Sequence, residues 1–138
     1  GESDFADGEM CWGSFDKPMR IKRVNWCGSA CKHETGKNKI HPTQKPIKLY
    51  EWILDNYAKD IDCEKCKGKG ETRYNVCTKC NTLGIKKPLI LDTHLGSGSI
   101  AIACHNRGFD LVACELDKDY YKEAINRLNI HKSQLRMF

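Results

Sequence analysis

Pro88-Leu-Ile-Leu-Asp-Thr-His-Leu-Gly-Ser-Gly-Ser-Ile-Ala-Ile-Ala103 is the stretch that decides the fold of this 138-residue chain. Leu89, Ile90 and Leu91, set between Pro88 and Asp92, form the short unbroken apolar run expected of a strand buried on both faces of a parallel sheet. The loop Gly96-Ser97-Gly98-Ser99 follows. Ile100-Ala-Ile-Ala-Cys104 then begins a helix whose small residues can lie close to a sheet. Strand, glycine turn and helix in that order make a Rossmann-type unit. The glycines let backbone approach a ligand, and the helix start offers N–H groups with no partner inside the helix.

Toward the C-terminus the pattern repeats. Gly108-Phe-Asp-Leu-Val-Ala-Cys-Glu115 supplies a second apolar run, Leu111 to Cys114, that ends in an acid. An acid at the end of the second strand, roughly 20 residues past the glycine loop, is where such folds bind ribose hydroxyls. Asp117 is suited to cap a helix, and Tyr121, Ala124, Ile125 and Leu128 recur on one helical face. Residues 88–130 are therefore predicted as β-α-β-α. The loop has Ala101 where a full dinucleotide fingerprint has its third glycine, so glycine spacing alone specifies no ligand.

Toward the N-terminus lies His41-Pro-Thr-Gln-Lys-Pro46. Its prolines hold the backbone extended, so that Thr43 to Lys45 present polar groups at a fixed place. Pro46 is expected at the first position of a helix over 47–59, with Ile47, Tyr50, Leu54 and Tyr57 on its packed face. On the residues alone, Thr43 is either a helix-entry cap or a ligand contact. Residues 1–40 are less legible. Trp12, Phe15, Val24 and Trp26 are compatible with short strands. The basic clusters Arg20, Lys22, Arg23 and Lys32, Lys37, Lys39 are either a solvated face or phosphate contacts. Cys27, Cys31 and His33 amount to a partial metal site with no fourth ligand nearby.

Cys63-Glu-Lys-Cys66 and Cys77-Thr-Lys-Cys80 can together supply four thiolates to a tetrahedral zinc. Glycines between and after them provide the unusual backbone angles of metal knuckles, and the surrounding lysines favour thiolate over thiol. A redox dithiol is the competing interpretation. With no coordination position left for water, a four-cysteine zinc would be structural; the surrounding ribbon would staple a connection or touch nucleic acid. Nine cysteines, an odd number, argue against a simple disulfide framework and for a reducing, cytoplasmic setting.

Composition sets the outer bounds. Hydrophobic content of 40% and charged content of 30% fit a soluble globular protein. The net charge of +5 permits nucleic acid without demanding it. No apolar run approaches the ~20 residues of a membrane span, and no secretory signal is visible.

Leu91-Asp-Thr-His-Leu-Gly-Ser-Gly-Ser99 resembles the S-adenosylmethionine motif of amino-group DNA methyltransferases. His41–Pro46 resembles the segment that precedes that motif in their circularly permuted, beta-type arrangement. Asp4-Phe-Ala-Asp7 and Trp12-Gly-Ser-Phe-Asp16 are similar to text in phage and bacterial adenine-N6 members. The resemblance covers most of the chain except residues 60–86. The Cys63 knuckle separately resembles the Cys-x-x-Cys-x-Gly-x-Gly repeat of J-domain cochaperones, with only one and a half repeats present.

The methyltransferase resemblance implies a partial α/β fold, Rossmann-like and S-adenosylmethionine-dependent, built from residues 1–59 and 85–138. A zinc-ribbon insertion would occupy residues 60–84. It implies that Thr43 and Lys45 contact the methionine end of S-adenosylmethionine and that Asp92 faces its ammonium. Thr93, His94, Gly96, Ser97, Gly98 and Ser99 would surround the cofactor, and Glu115 would accept from both ribose hydroxyls. Zinc would be held by Cys63, Cys66, Cys77 and Cys80. The implied partners are double-stranded DNA, with the target base flipped out, and the N-terminal remainder of the same enzyme; no membrane is involved. Adenine N6 is favoured over cytosine N4. The family's catalytic Pro-Pro motif is absent, because prolines 18, 42, 46 and 88 are all isolated. No catalytic residue is therefore expected in this chain, and alone it should not methylate. Two other classes stay open: a non-catalytic zinc-ribbon and Rossmann remnant that binds nucleic acid or a protein, and an enzyme using a different nucleotide such as NAD.

Overall fold

A computed structural model describes residues 11, 13, 14, 18–24, 39–73 and 75–134. The chain is mixed α/β, with element order α1 (Ile47–Tyr57), β1 (Ile61–Asp62), β2 (Ile85–Lys86), β3 (Ile90–Asp92), α2 (Ser99–Arg107), β4 (Leu111–Ala113) and α3 (Lys118–Ser133). Strands β3 and β4 run parallel, with Ile90 opposite Leu111, Leu91 opposite Val112 and Asp92 opposite Ala113. A right-handed crossover through a helix is the usual way to join such neighbours, and α2 is that helix. The predicted β-α-β-α order of residues 88–130 is observed.

The core gathers on one face of this sheet. Leu54 of α1, Leu95 of the loop, Ile100, Ala101, Ala103 and Cys104 of α2, and Ala124 of α3 are buried together, with Ile90, Leu111 and Ala113 packed against them. Small residues along α2 permit this three-helix approach, since each alanine removes bulk where helix and sheet meet. The Cys104 thiol lies inside this cluster, and burial pushes its pKa up to about 11. It packs as an apolar group.

The opposite face differs from the expectation of strands buried on both sides. Leu91 is 66% exposed and Val112 50% exposed, and Leu89 and Cys114 are exposed as well. Strand side chains alternate between faces, and among the described residues nothing covers the second one. An open cleft of about 720 Å³ lies between α1 and β3, lined by Tyr50, Tyr57, Pro88, Ile90 and Leu91 among others.

Two helix boundaries also differ from expectation. Helix α1 ends at Tyr57, where Ala58 closes it by donating to the Leu54 carbonyl, and Pro46 is the extended residue before the helix instead of its first turn. In α3 the buried face is rotated. Ala124 and Arg127 are buried and Leu128 is half-buried, whereas Tyr121 and Ile125 are exposed. Arg127 is held on that face by bonds to the glycine loop, described below. Asp117 caps α3 as predicted, accepting from the backbone N–H groups of Asp119 at 2.8 Å and Tyr120 at 3.0 Å. Val24 is in no strand. Trp12, Phe15, Trp26, Lys32, Lys37, Cys27, Cys31 and His33 lie outside the described residues. Arg20, Lys22, Arg23 and Lys39 are exposed, and Arg20 donates to the Asn56 side chain at 2.6 Å.

Candidate functional site

In an open parallel sheet, ligands gather beyond the carboxyl ends of the strands. Here β3 ends at Asp92 and β4 at Ala113, so the loop 93–98 and Glu115 share that edge. Gly96 and Gly98 both adopt left-handed backbone, with φ of 53° and 72°. At Gly98 a second requirement applies: a Cβ there would stand 3.0 Å from the Ala124 Cβ. Gly98 thus serves the close approach of α3, whereas a Cβ on Gly96 would make only ordinary contact with the His41 ring.

Glu115 fastens the loop from one side. Its Oε2 accepts from the Gly96 N–H at 2.7 Å, and its Oε1 accepts from the Asp117 N–H at 3.0 Å. These backbone donors, Asp117 first and Gly96 second, hold the carboxyl below the usual glutamate range, so it is ionised at neutral pH. Each carboxylate oxygen keeps a further lone pair for another donor. Asp92 is half-buried and turns inward on its own loop, its Oδ1 accepting from the His94 N–H at 2.9 Å. Thr93 and His94 are exposed, with the Thr93 hydroxyl 2.9 Å from His94 Nδ1.

The hexapeptide, far away in sequence, is brought to the same place. The His41 ring lies beside Gly96 and packs edge-to-face on Tyr120, with centroids 4.4 Å apart. Its Nδ1 accepts from the Thr43 N–H at 3.2 Å, and the Thr43 hydroxyl is 3.0 Å from the same nitrogen. Gln44 is 3% exposed and turned inward, its Oε1 accepting from the Ile40 N–H at 3.0 Å. The Lys45 carbonyl accepts from the Ser99 hydroxyl at 2.8 Å. Thr43, Lys45, the Gly96–Ser99 loop and Glu115 therefore belong to one cluster. Gln44, expected with Thr43 and Lys45 to present a polar group, is buried instead. Sequence reasoning gave no individual role to His41, Tyr120 or Arg127; for the last two only the i, i+3 relation of Arg127 to Ala124 was a usable signal, and an arginine on an apolar face is ordinarily read as solvated.

The second site is a group of four cysteines with the arrangement to hold a metal ion. The four sulfurs of Cys63, Cys66, Cys77 and Cys80 lie within 4.8 Å of one another, and all four residues are buried. Cys63 and Cys77 sulfurs are 3.8 Å apart, and those of Cys66 and Cys80 are 3.6 Å apart. Thiolates about 2.3 Å from a tetrahedral zinc stand roughly 3.8 Å from each other, so the donor set fits that ion. The backbone N–H of Cys66 brings the Cys63 thiol down to about 7, while burial pushes Cys80 up to about 12.

The knuckles repeat at an offset of 14 residues, and the backbone follows the repeat except at the turn, where Lys67 N–H closes on the Cys63 carbonyl but Thr82 N–H, one position later, closes on that of Cys77. Cys63 N–H donates to the Gly84 carbonyl at 2.8 Å, and Cys77 N–H donates to the Gly70 carbonyl at 2.9 Å. Lys67 and Gly68 are left-handed in the first knuckle, as Asn81 and Thr82 are in the second. A Cβ on Gly70 would meet the Thr82 carbonyl at 2.1 Å, and one on Gly84 the Gly68 carbonyl at 2.2 Å. The two knuckles interlock through their glycines. What the sequence presents as one and a half repeats is, in backbone geometry, two.

The family model of DNA methylases, covering N6 and N4 enzymes, matches residues 14–126. The chain belongs to the DNA methylase family. No curated protein sequence matches this DNA methylase chain. Among solved structures it is similar to one described as the M1.HpyAVI–SAM complex, with 23% identity and a TM-score of 0.42 over 83% of this chain. The methylase chain spans 42% of the length of that protein. Of the segments that carried the resemblance, 41–46 and 91–99 fall inside the matched range, whereas 4–7 precedes it and 12–16 straddles its start. No helix among the described residues is long and apolar enough to cross a membrane.

Proposed function

We propose that this chain is the S-adenosylmethionine-binding portion of a DNA methyltransferase acting on an exocyclic amino group, with adenine N6 favoured over cytosine N4. Membership in the DNA methylase family supports the reaction class. The observation that carries the cofactor assignment is the convergence of three distant segments, with Glu115 bonded to Gly96 and Lys45 bonded to Ser99. In this proposal the Glu115 carboxylate accepts from the ribose hydroxyls and Asp92 faces the cofactor's ammonium. Thr43 and Lys45 border its methionine end. Thr93, His94 and the Gly96–Ser99 backbone form the floor.

The bound cofactor supplies an electrophilic methyl on sulfonium. The residues of this chain bind and orient it, and orientation is a large share of the acceleration in a bimolecular transfer. In this proposal no partner for the amino group of the base lies among the described residues. That partner, and the double-stranded DNA contacts, belong in this proposal to an N-terminal remainder of the enzyme. Cys63, Cys66, Cys77 and Cys80 hold a structural zinc in the insertion over residues 60–84, because four thiolates leave no position for water or substrate.

The test is calorimetric titration of S-adenosylmethionine into the zinc-loaded chain, beside Asp92→Ala and Glu115→Ala variants checked for folding by circular dichroism. Binding by the wild type that is lost in both folded variants is expected. Failure of the folded wild type to bind would refute autonomous cofactor binding.

A further inference from the structure

Arg127 is 8% exposed, although it sits on the face of α3 that turns toward the protein. Its Nη1 donates to the Ser97 carbonyl at 3.0 Å and to the Ser99 hydroxyl at 2.9 Å. That hydroxyl, in turn, donates to the Lys45 carbonyl at 2.8 Å. One guanidinium nitrogen therefore meets the glycine loop directly and reaches the hexapeptide through a single serine. On the loop's other side, Glu115 takes the Gly96 N–H at 2.7 Å. A carboxylate and a guanidinium from opposite flanks hold Gly96, Ser97 and Ser99, three of the four loop residues, and neither end of the loop is left to its own torsional preferences.

We infer that Arg127 is a positioning residue for the cofactor site: through Ser97 and Ser99 it fixes the glycine loop and locks the His41–Pro46 segment to it. The inference rests on the cofactor assignment above for its purpose, but the anchoring stands on geometry alone. Hydrogen bonds to a charged group in a buried setting are strong, and losing one partner leaves the others unsatisfied. The burial of Arg127 also has a chemical reason on this account. A lysine ammonium also has donors enough for the two acceptors that Nη1 serves, but it would carry them on a flexible stem, whereas the planar guanidinium fixes the direction of its N–H groups.

The experiment is residue-resolved amide hydrogen exchange on the 138-residue chain without ligand, followed by titration with S-adenosylhomocysteine as the probe. Arg127→Met is expected to speed exchange at Gly96, Gly98 and Gln44 by roughly tenfold or more, while Leu54 in α1 and Cys114 after β4 keep their rates. The same variant should bind the probe roughly tenfold more weakly at a temperature where it is folded. Ser99→Ala, a smaller change, should release Gln44 while Gly98 stays protected, because the bond from Arg127 to Ser97 survives. Arg127→Lys should restore part of the loop protection. Acceleration spread evenly over all amides, or none at the loop, would overturn the inference and leave Arg127 a stabiliser only. If Arg127→Met does not fold, the Ser99→Ala pattern decides. A wild-type chain that ignores the probe would count against the cofactor assignment, and the exchange pattern would still decide the anchoring.

Discussion

Replacing Gly98 by alanine separates the two reasons for a glycine in the loop. Its φ of 72° disfavours any side chain, as does the 66° of Gly108, which closes α2. Left-handed backbone costs a residue with a Cβ about 1–2 kcal/mol. At Gly108 nothing else opposes the methyl group, since the nearest atom is the flexible end of Lys87 at 3.7 Å. At Gly98 the new Cβ would sit 3.0 Å from the Ala124 Cβ and 3.3 Å from the Ala124 Cα and carbonyl oxygen. Relief requires α3 to back away, and overpacking of this kind costs about 1–3 kcal/mol. Gly98→Ala should therefore destabilise by about 2–5 kcal/mol, against about 1–2 kcal/mol for Gly108→Ala. Urea unfolding followed by circular dichroism measures both. Ala124→Gly alone should cost about 1–2 kcal/mol, from a glycine in a helix interior and the lost burial of its methyl group. Combined with Gly98→Ala it should cost less than the sum, because the shortest contact is removed. Equal losses at Gly98 and Gly108, or strict additivity of the Gly98 and Ala124 changes, would refute the close-approach argument.

Three further outcomes are expected. The zinc-loaded chain should carry one zinc by native mass spectrometry, and Cys77→Ser, at a residue 0% exposed, should abolish it; retention of the ion would dismiss the four-cysteine site. Thr82→Gly should raise the unfolding temperature of the metal-bound ribbon, because Thr82 is a β-branched residue at φ 70° and loses about 1–2 kcal/mol there; a lower temperature would mean that the threonine side chain has a stabilising role of its own. Glu115 has its folded pKa depressed below the ordinary 4.5 by the Asp117 and Gly96 N–H groups. Its contribution is thus fully present above 4.5 and lost as pH falls through the lower, folded value. The stability gap between wild type and Glu115→Gln should be constant near neutrality and close under acid, and a gap indifferent to pH would contradict the hydrogen-bond assignment.

The parts legible in the sequence were those set by local rules. The parallel unit of β3, α2 and β4 follows from two apolar runs, a glycine turn and a helix of small residues. The Asp117 cap follows from one acid ahead of a periodic segment. Long-range geometry was harder to read. Leu91 and Val112 look like residues buried on both sides because a run of apolar residues does not say what covers each face. Their exposure here depends on which layers the described chain contains. The rotation of α3 escaped notice because hydrophobic periodicity selects Tyr121 and Ile125, whereas a directional polar bond selects Arg127. Periodicity weighs only apolar area, and a guanidinium aimed at a carbonyl and a hydroxyl outweighs one exposed isoleucine. Around the glycine loop, an apolar run ending in an acid singles out Glu115, but it does not reveal that Glu115 accepts from the Gly96 amide.

The ribbon raises a different question, namely how a segment of this size sits between α1 and β3 without disturbing the sheet. The pairing of β1 with β2 answers it. Ile61 lies opposite Lys86 and Asp62 opposite Ile85, so the chain departs and returns at adjacent points. The connection from α1 to β3 then behaves mechanically as a short one, whatever lies beyond the paired stem. Closing a long flexible loop costs entropy that grows only logarithmically with length, but a floppy segment would be free to swing about the paired stem. Four cysteines gathered within 4.8 Å remove that freedom, and the reciprocal Cys63–Gly84 and Cys77–Gly70 backbone bonds tie each knuckle to the other. A metal held by the four cysteines would stabilise this segment further. β3 and the residues that follow it carry Asp92 and the glycine loop.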